Sequence, residues 1–191
     1  MKFVKTADKN LVAKVIAARL VRELSLKKKV LWLMPGGSNI EIAVEIMQKI
    51  PAEPSRNLTI GLTDERFGKI GHQDSNYEQY KIAGFDAKFA KFVPVLDGSR
   101  SFGDNVKNYE PIFREMLAQN DFCLGFFGMG PDGHAAGILP GSPVAAANAN
   151  SRERFFSREK WSEETRNDGL DERSREVRSG GSAILSRKIF L

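Results

Sequence analysis

Several features that often dictate the class of a protein are scarce in this sequence. Its single cysteine, Cys123, excludes an internal disulfide and lies in the apolar run 122–127, where a buried packing thiol is the usual case. Nowhere do the roughly 18 apolar residues of a membrane-spanning helix follow one another, and residues 1–10 lack the apolar core of a signal peptide. The sequence therefore predicts a soluble cytoplasmic protein with no membrane partner.

Long runs of one charge are also absent, although the formal net charge is +5. The longest basic run is the lysine triplet 27–29, which follows a helical apolar pattern and precedes an apolar run. Such a position is typical of a helix C-terminus and the turn after it. We therefore do not predict binding to nucleic acid.

Short apolar runs alternate with segments whose apolar residues recur at helical spacing. Runs without polar alternation are typical of strands buried on both faces of a parallel sheet. The predicted strands are 30–34, 58–62, 92–95 and 122–127, and helices are predicted from Asp8 to about Leu24, from Ser38 to about 50, near 76–82 and around 106–117. This order predicts a three-layer α/β/α fold with a mostly parallel sheet.

Three predicted strands are followed by unusual loops, and ligands of parallel sheets bind beyond the carboxyl ends of the strands. In the first loop, 35–38, the glycines would let the backbone approach an anion near a helix N-terminus. Gly36, Gly37 and Ser38 are therefore candidate substrate-binding residues. Taken alone, the loop fits an ordinary strand-to-helix turn capped by Ser38 better.

The second loop, 63–66, places two carboxylates and a guanidinium directly after a strand. Arg66 could bind a phosphate or stabilise a developing oxyanion. The alternative is a solvated loop in which Asp64 caps a turn and Arg66 forms a surface ion pair. For this loop alone, that alternative is favoured.

The third loop, 128–134, packs three glycines, a proline, an acid and one of only two histidines into seven residues. A histidine on a rigid glycine loop can act as a general base, and a nearby carboxylate can orient its ring. The pattern therefore predicts His134 as the base and Asp132 as its partner, with Gly130 and Gly133 as candidate substrate contacts. The other histidine, His72, is expected to be a solvated loop residue.

The three loops lie in segments that resemble the signature segments of 6-phosphogluconolactonases, in the same order and at similar spacing, over roughly residues 1–143. These segments are LWLMPGGSN, LTDERFGKIGHQDSNY and DFCLGFFGMGPDGHAAGILPGSP. The first match is loose, because Asn39 and Ile40 stand where the family usually has Thr and Pro. The resemblance implies an α/β enzyme that opens a phosphorylated sugar lactone without a metal or cofactor, as a monomer or small homo-oligomer.

The resemblance also implies roles for individual residues. His134 would activate water, Asp132 would orient His134, and Arg66 would stabilise anionic charge. The first loop would bind an anionic or hydroxyl end of the substrate. Asp64 would position Arg66 or a sugar hydroxyl, and Asn76 would anchor its loop.

Two other functions share this fold. Glucosamine-6-phosphate deaminase typically has Tyr in place of Arg66 and an Asn-Glu pair after its histidine, whereas residues 135–140 contain no acid here. Sugar-phosphate sensing domains of transcription regulators bind without catalysis, but usually carry a helix-turn-helix, which is not evident here. An inactive fragment is a further alternative.

The sequence changes character after Pro143. Residues 1–144 contain 13 Lys and 6 Arg, but residues 145–191 contain 2 Lys and 8 Arg. We expect residues 144–191 to be a divergent charged tail that has no clear strand and packs poorly on the domain formed by 1–143. One hypothesis is a shift of reading frame near residue 145, and the alternative is a divergent native tail. Because a phosphate-contacting segment of the family is not recognised there, activity below that of a complete family member is expected.

Overall fold

The computed structural model describes residues 6–99 and 101–141, together with the backbone of 181–186. The helices are α1 (Lys9–Ser25), α2 (Ile40–Lys49), α3 (Asn76–Ile82) and α4 (Phe102–Gln119), with short 3₁₀ helices at Gly37–Asn39 and Pro54–Asn57. The strands are β1 (Val30–Met34), β2 (Leu58–Leu62), β3 (Lys91–Phe92), β4 (Phe122–Met129) and β5 (Gly181–Ser186).

The strands form one sheet in the order β3-β2-β1-β4-β5. The central strand β1 pairs in parallel with β2 and β4, and β3 pairs in parallel with β2. Only β5 runs antiparallel, along β4. The predicted mostly parallel α/β fold is therefore confirmed.

The strand β5 corrects the expectation that residues 144–191 contain no clear strand. Its six residues pair with β4 from Leu124 to Met129. Because the edge of a sheet offers unpaired backbone groups to any chain, such a strand depends on its partner more than on its own apolar pattern. The other residues of the predicted tail lie outside the described part of the chain, so its poor packing stays a prediction.

Side chains of β1 alternate between two apolar layers, as expected for a strand covered on both faces. Val30, Trp32 and Met34 belong to a large core with α1, α2 and Tyr80 of α3. Leu31 and Leu33 face α4, which contributes a second, smaller core of Tyr109, Phe113 and Met116. Helices thus lie on both faces of the sheet, which gives the predicted three layers.

Two elements differ in detail from their prediction. In α1, Leu11 and Val15 are exposed, because the small residues Ala13 and Ala17 form the buried face with Ile16 and Leu20. The predicted strand 92–95 is reduced to Lys91–Phe92, although the Val93 amide still donates to the Ile60 carbonyl oxygen at 2.9 Å. Edge strands are often this short, since one side has no neighbour to pair with.

Cys123 is half-buried beside the smaller core. Burial raises the pKa of its thiol to about 11, so the sulfur stays protonated at neutral pH. A protonated thiol is a poor nucleophile, in agreement with the packing role predicted for Cys123.

None of the helices in 6–99 and 101–141 combines the length and apolar character that a membrane span needs.

The lysine triplet does lie at the end of α1, where it helps to neutralise a buried acid. Glu23 is buried, with its side chain 4% exposed, and pairs with Lys28 at 2.6 Å and Arg19 at 3.0 Å. The hydrogen bond from Lys28 holds the pKa of Glu23 below its usual range, against the opposing effect of burial.

We predict that Glu23→Gln lowers the free energy of unfolding most at neutral pH. A carboxyl whose pKa is lower in the folded chain stabilises the fold above its unfolded pKa of about 4.3 and loses this effect as pH falls through the folded value. Urea unfolding of both proteins between pH 7 and pH 3 measures the difference. A difference that grew towards acid pH would contradict this role.

Candidate functional site

The three loops lie at one edge of the sheet. The strands β1, β2 and β4 are parallel, with Val30 in register with both Leu58 and Phe122, so their carboxyl ends point the same way. The first loop follows β1, the second follows β2, and the third begins in the last residues of β4. The topology therefore brings the predicted site segments to the edge where ligands of such sheets bind.

The first loop does not enter α2 directly. Gly37 has a φ of +64°, in the left-handed region that glycine adopts without strain, and begins the 3₁₀ helix Gly37–Asn39. Ser38 is exposed within that turn, and α2 begins only at Ile40. The expected cap of Ser38 on a helix starting there is therefore wrong, and a tight extra turn takes its place.

Asn76, the first residue of α3, connects the first loop to the second. Its side chain occupies the space that a side chain on Gly36 would need. Its amide nitrogen donates to the Asp64 backbone oxygen at 2.9 Å and to Asp64 Oδ2 at 3.2 Å. Thr63 Oγ1 donates to the other carboxylate oxygen, Asp64 Oδ1, at 3.0 Å. Both oxygens of Asp64 are thus hydrogen-bonded within the chain.

A second side chain of α3, that of Tyr80, contacts the backbone of the first loop. Tyr80 is buried, and its hydroxyl donates to the Pro35 carbonyl oxygen at 2.6 Å. Burial, and to a smaller extent the nearby charge of Asp64, raises the pKa of the Tyr80 hydroxyl, so the group remains a donor. One short helix therefore positions the backbone of two loops.

Glu65 was given no role by the sequence, yet its carboxylate makes the densest set of contacts in the second loop. Ser75 Oγ donates to Oε2 at 3.0 Å, the Tyr77 amide donates to Oε2 at 3.1 Å, and the Asn76 amide donates to Oε1 at 2.6 Å. The acid of this strand-end loop thus binds the start of α3. The only sequence signal was the pair of adjacent acids at 64 and 65. This signal does not show which of the two accepts hydrogen bonds from the start of α3.

Arg66 is exposed, and its backbone is held on both sides. Its amide donates to Glu65 Oε1 at 2.7 Å, and its carbonyl oxygen lies 3.0 Å from Nε2 of His72. His72 is half-buried and packs against Gly68, so it is not the solvated residue that the sequence predicted. The polar composition of 68–75 concealed this contact, because it forms only when the loop folds back on itself.

The third loop brings the predicted acid and base together. His134 Nδ1 and Asp132 Oδ1 are 2.6 Å apart, and the pair is partly exposed. Gly133 adopts a φ of +88°, and its amide donates to the Gly130 carbonyl oxygen at 3.0 Å, closing the turn. A methyl group on Gly130 would overlap the His134 ring and stand 2.6 Å from Asp132 Oδ1, so a side chain there would displace the pair from this geometry.

In this pair, His134 donates the hydrogen bond and Asp132 accepts it. The hydrogen bond from His134 holds the pKa of the Asp132 carboxyl below its usual range, so the carboxylate is ionised at neutral pH. With Nδ1 donating to Asp132, the lone pair of the neutral ring lies on Nε2. The ring can then accept a proton at Nε2 and share its positive charge with Asp132.

Two close approaches join the third loop to the others. A methyl group added at Gly137 would stand 3.6 Å from Asp64 Cβ, and one added at Gly128 would stand 2.5 Å from Asn39 Nδ2. The base-bearing loop thus lies against the second loop and against the turn that follows the first. Convergence of Arg66 and His134 on one substrate stays a prediction.

Within 6–99 and 101–141, no cluster of His, Cys, Asp and Glu could hold a metal ion.

We predict that Gly36→Ala destabilises the chain by about 1–3 kcal/mol, the usual cost of overpacking. The φ of Gly36, −89°, is open to alanine, so the cost comes from the overlap with Asn76. Urea unfolding of Gly36→Ala, Asn76→Gly and the double variant forms a thermodynamic cycle. Adding Gly36→Ala to the Asn76→Gly background should cost much less, and strictly additive effects would contradict the contact.

Comparison with known proteins identifies one family over most of the chain. A sequence model described as glucosamine-6-phosphate isomerases/6-phosphogluconolactonase matches residues 6–165, a range that passes the predicted boundary at Pro143. The 6-phosphogluconolactonase of Pseudomonas aeruginosa is 29% identical over 135 residues, covering 69% of this chain and 55% of the relative. That of Caulobacter vibrioides is 28% identical over 135 residues, covering 69% and 56%.

Solved structures show the same fold. A 6-phosphogluconolactonase from Thermotoga maritima superposes with a TM-score of 0.55 at 22% identity, covering 71% of this chain and 62% of that one. One from Shewanella baltica gives 0.52 at 21% identity, covering 66% and 54%. The chain spans a little over half the length of the relatives from Pseudomonas aeruginosa and Caulobacter vibrioides.

Proposed function

Because this chain belongs to the family of glucosamine-6-phosphate isomerases and 6-phosphogluconolactonases, we propose that it hydrolyses 6-phospho-D-glucono-1,5-lactone to 6-phosphogluconate. The names of its curated relatives support a lactone hydrolase rather than an isomerase. The observation that carries the proposal is the pair of His134 and Asp132, 2.6 Å apart on a glycine turn at the ligand-binding edge of the sheet.

In this reaction His134 is the general base. Its Nε2 takes a proton from water as the water oxygen bonds to the lactone carbonyl carbon, and the negative charge of Asp132 stabilises the imidazolium. The carbonyl oxygen becomes an oxyanion. When the intermediate collapses, the bond to the ring oxygen breaks, and the proton returns from Nε2 to that oxygen to give the open acid.

Arg66 serves as the electrostatic partner of this chemistry. Arg66 is an exposed residue whose guanidinium would bind the oxyanion or the substrate phosphate, both of which guanidinium binds well. Asp64, which lies against Gly137 of the base-bearing segment, positions a sugar hydroxyl or Arg66. Asn76 keeps Asp64 in place through its two hydrogen bonds.

The first loop supplies the substrate's second anchor. Gly36, Gly37 and Ser38 present backbone amides at a turn whose outer side is open at Gly37, and they bind an anionic or hydroxyl end of the sugar phosphate. Gly130 and Gly133 contribute backbone contacts beside His134. The proposal involves no metal and no cofactor.

The proposal extends to location and assembly: the chain acts on a small sugar phosphate in the cytoplasm, as a monomer or small homo-oligomer. Residues 1–143 form the catalytic unit, and 144–191 form a divergent charged tail from which β5 joins the sheet. Translation of the gene in all frames tests the reading-frame hypothesis for that tail, because a family-like continuation should appear in another frame.

We predict that His134→Ala removes on the order of 10²-fold or more of any acceleration of lactone opening, since positioned proton transfer contributes that much. Freshly generated lactone is followed by acid release, and the spontaneous rate is subtracted. Arg66→Ala should also slow the reaction. Arg114→Ala, which removes an exposed arginine that pairs with Glu110 on α4, is the control and should leave the rate unchanged.

The alternatives give different results in the same samples. A deaminase would release ammonia from glucosamine 6-phosphate, and a sensing domain would bind a sugar phosphate without turning it over. Equal lactone opening by the unmodified chain and His134→Ala, above the spontaneous rate, would contradict the assignment of the base.

A further inference from the structure

We propose that Glu65 is a positioning residue of the hydrolytic site, which holds the second loop so that Asp64 and Arg66 meet the substrate. The kinetic part of this inference rests on the proposed function. Glu65 does not contact the acid–base pair in the described residues, and it acts through its two neighbours in the chain.

The carboxylate of Glu65 is fully used by donors from two segments. Oε1 accepts from the amides of Asn76, at 2.6 Å, and Arg66, at 2.7 Å. Oε2 accepts from Ser75 Oγ at 3.0 Å and from the Tyr77 amide at 3.1 Å. Four hydrogen bonds to one ionised acceptor are a strong local constraint, because hydrogen bonds to a charged group are about twice as strong as neutral ones.

These contacts tie residues 64–66 to residues 75–77 at several points. The amide of Asn76 binds Glu65, while its side chain binds Asp64. The Arg66 amide binds the same carboxylate, and Arg66 is exposed at the edge of the sheet. Releasing Glu65 should therefore let both proposed substrate-binding side chains leave their productive positions.

Precise placement matters in this reaction, since a displacement of about 1 Å can cost 10²-fold in rate. A residue that only stabilised the fold would lower the folded fraction and leave the rate per folded molecule unchanged. The two roles are separated by measuring kcat and KM well below the unfolding midpoint of each variant.

The test compares Glu65→Gln, Glu65→Ala and Glu65→Asp with two controls in the full chain. Glu53→Gln makes the same chemical change at an exposed acid that pairs with Arg56. Ser55→Ala removes a buried hydroxyl that bonds the Ala52 carbonyl oxygen before the start of β2, at the opposite end of that strand from the second loop, and should also lower stability. We expect Glu65→Gln and Glu65→Ala to lower kcat at least 10-fold, with partial recovery in Glu65→Asp and no loss in either control.

A second measurement does not depend on activity. Amide hydrogen exchange by NMR reports directly on Arg66, Asn76 and Tyr77, whose N–H groups donate to Glu65. Their exchange should accelerate at least 10-fold in Glu65→Gln, while the amides of β1 keep their wild-type rates. In Ser55→Ala these three amides should not change selectively.

The two readouts distinguish failure of this inference from failure of the proposed function. If the unmodified chain does not open the lactone, the proposed function fails, and selective acceleration of the three amides still supports anchoring by Glu65. Unchanged exchange at these amides would overturn the inference whatever the kinetics. Accelerated exchange in an active enzyme whose kcat was unaffected by Glu65→Gln would overturn it as well.

Discussion

The arrangement of this site depends on the amide side chain of Asn76, which fills the space left by the missing side chain of Gly36. Asn76 occupies the volume beside Gly36 and donates to the backbone and the carboxylate of Asp64. It is almost fully buried at the first turn of α3. Because a parallel sheet fixes only where strands end, the loops need such lateral contacts to acquire a common geometry, and Asn76 provides the contact between the first two.

The third loop is built on a different principle. Its glycines allow a tight turn in which Asp132 and His134, two residues apart, meet without help from another element. Gly128 of this loop approaches Asn39, and Gly137, just after the loop, approaches Asp64. The acid–base pair can therefore stay intact within the third loop, while other contacts determine how far this loop lies from the first two.

This difference explains what could be predicted from the sequence. Local features were readable: the apolar runs of β1, β2 and β4, the start of α1 near Asp8, and the pair of Asp132 and His134. The predicted sheet was confirmed because buried parallel strands leave an unbroken apolar signal.

Features that depend on distant partners were not readable. The exposed Leu11 of α1, the strand β5 and the contact of His72 with the Arg66 carbonyl oxygen all depend on where another segment lies. Glu65 belongs to the same class, since neither its neighbours nor its spacing indicated that four donors would converge on it. Composition described its loop as polar, but polarity does not tell whether a charge is solvated or enclosed.

The hydrogen-bond arrangement also decides which acid can take part in proton transfer. Both oxygens of Asp64 and both of Glu65 already accept hydrogen bonds from the chain, so their lone pairs are engaged within the protein. The Asp132 carboxylate also accepts a hydrogen bond, but its donor is itself a base with a second ring nitrogen. Among the acids of the three loops, only Asp132 is thus coupled to a group that can gain and return a proton. The other two acids can shape the site but are poorly suited to act as the base.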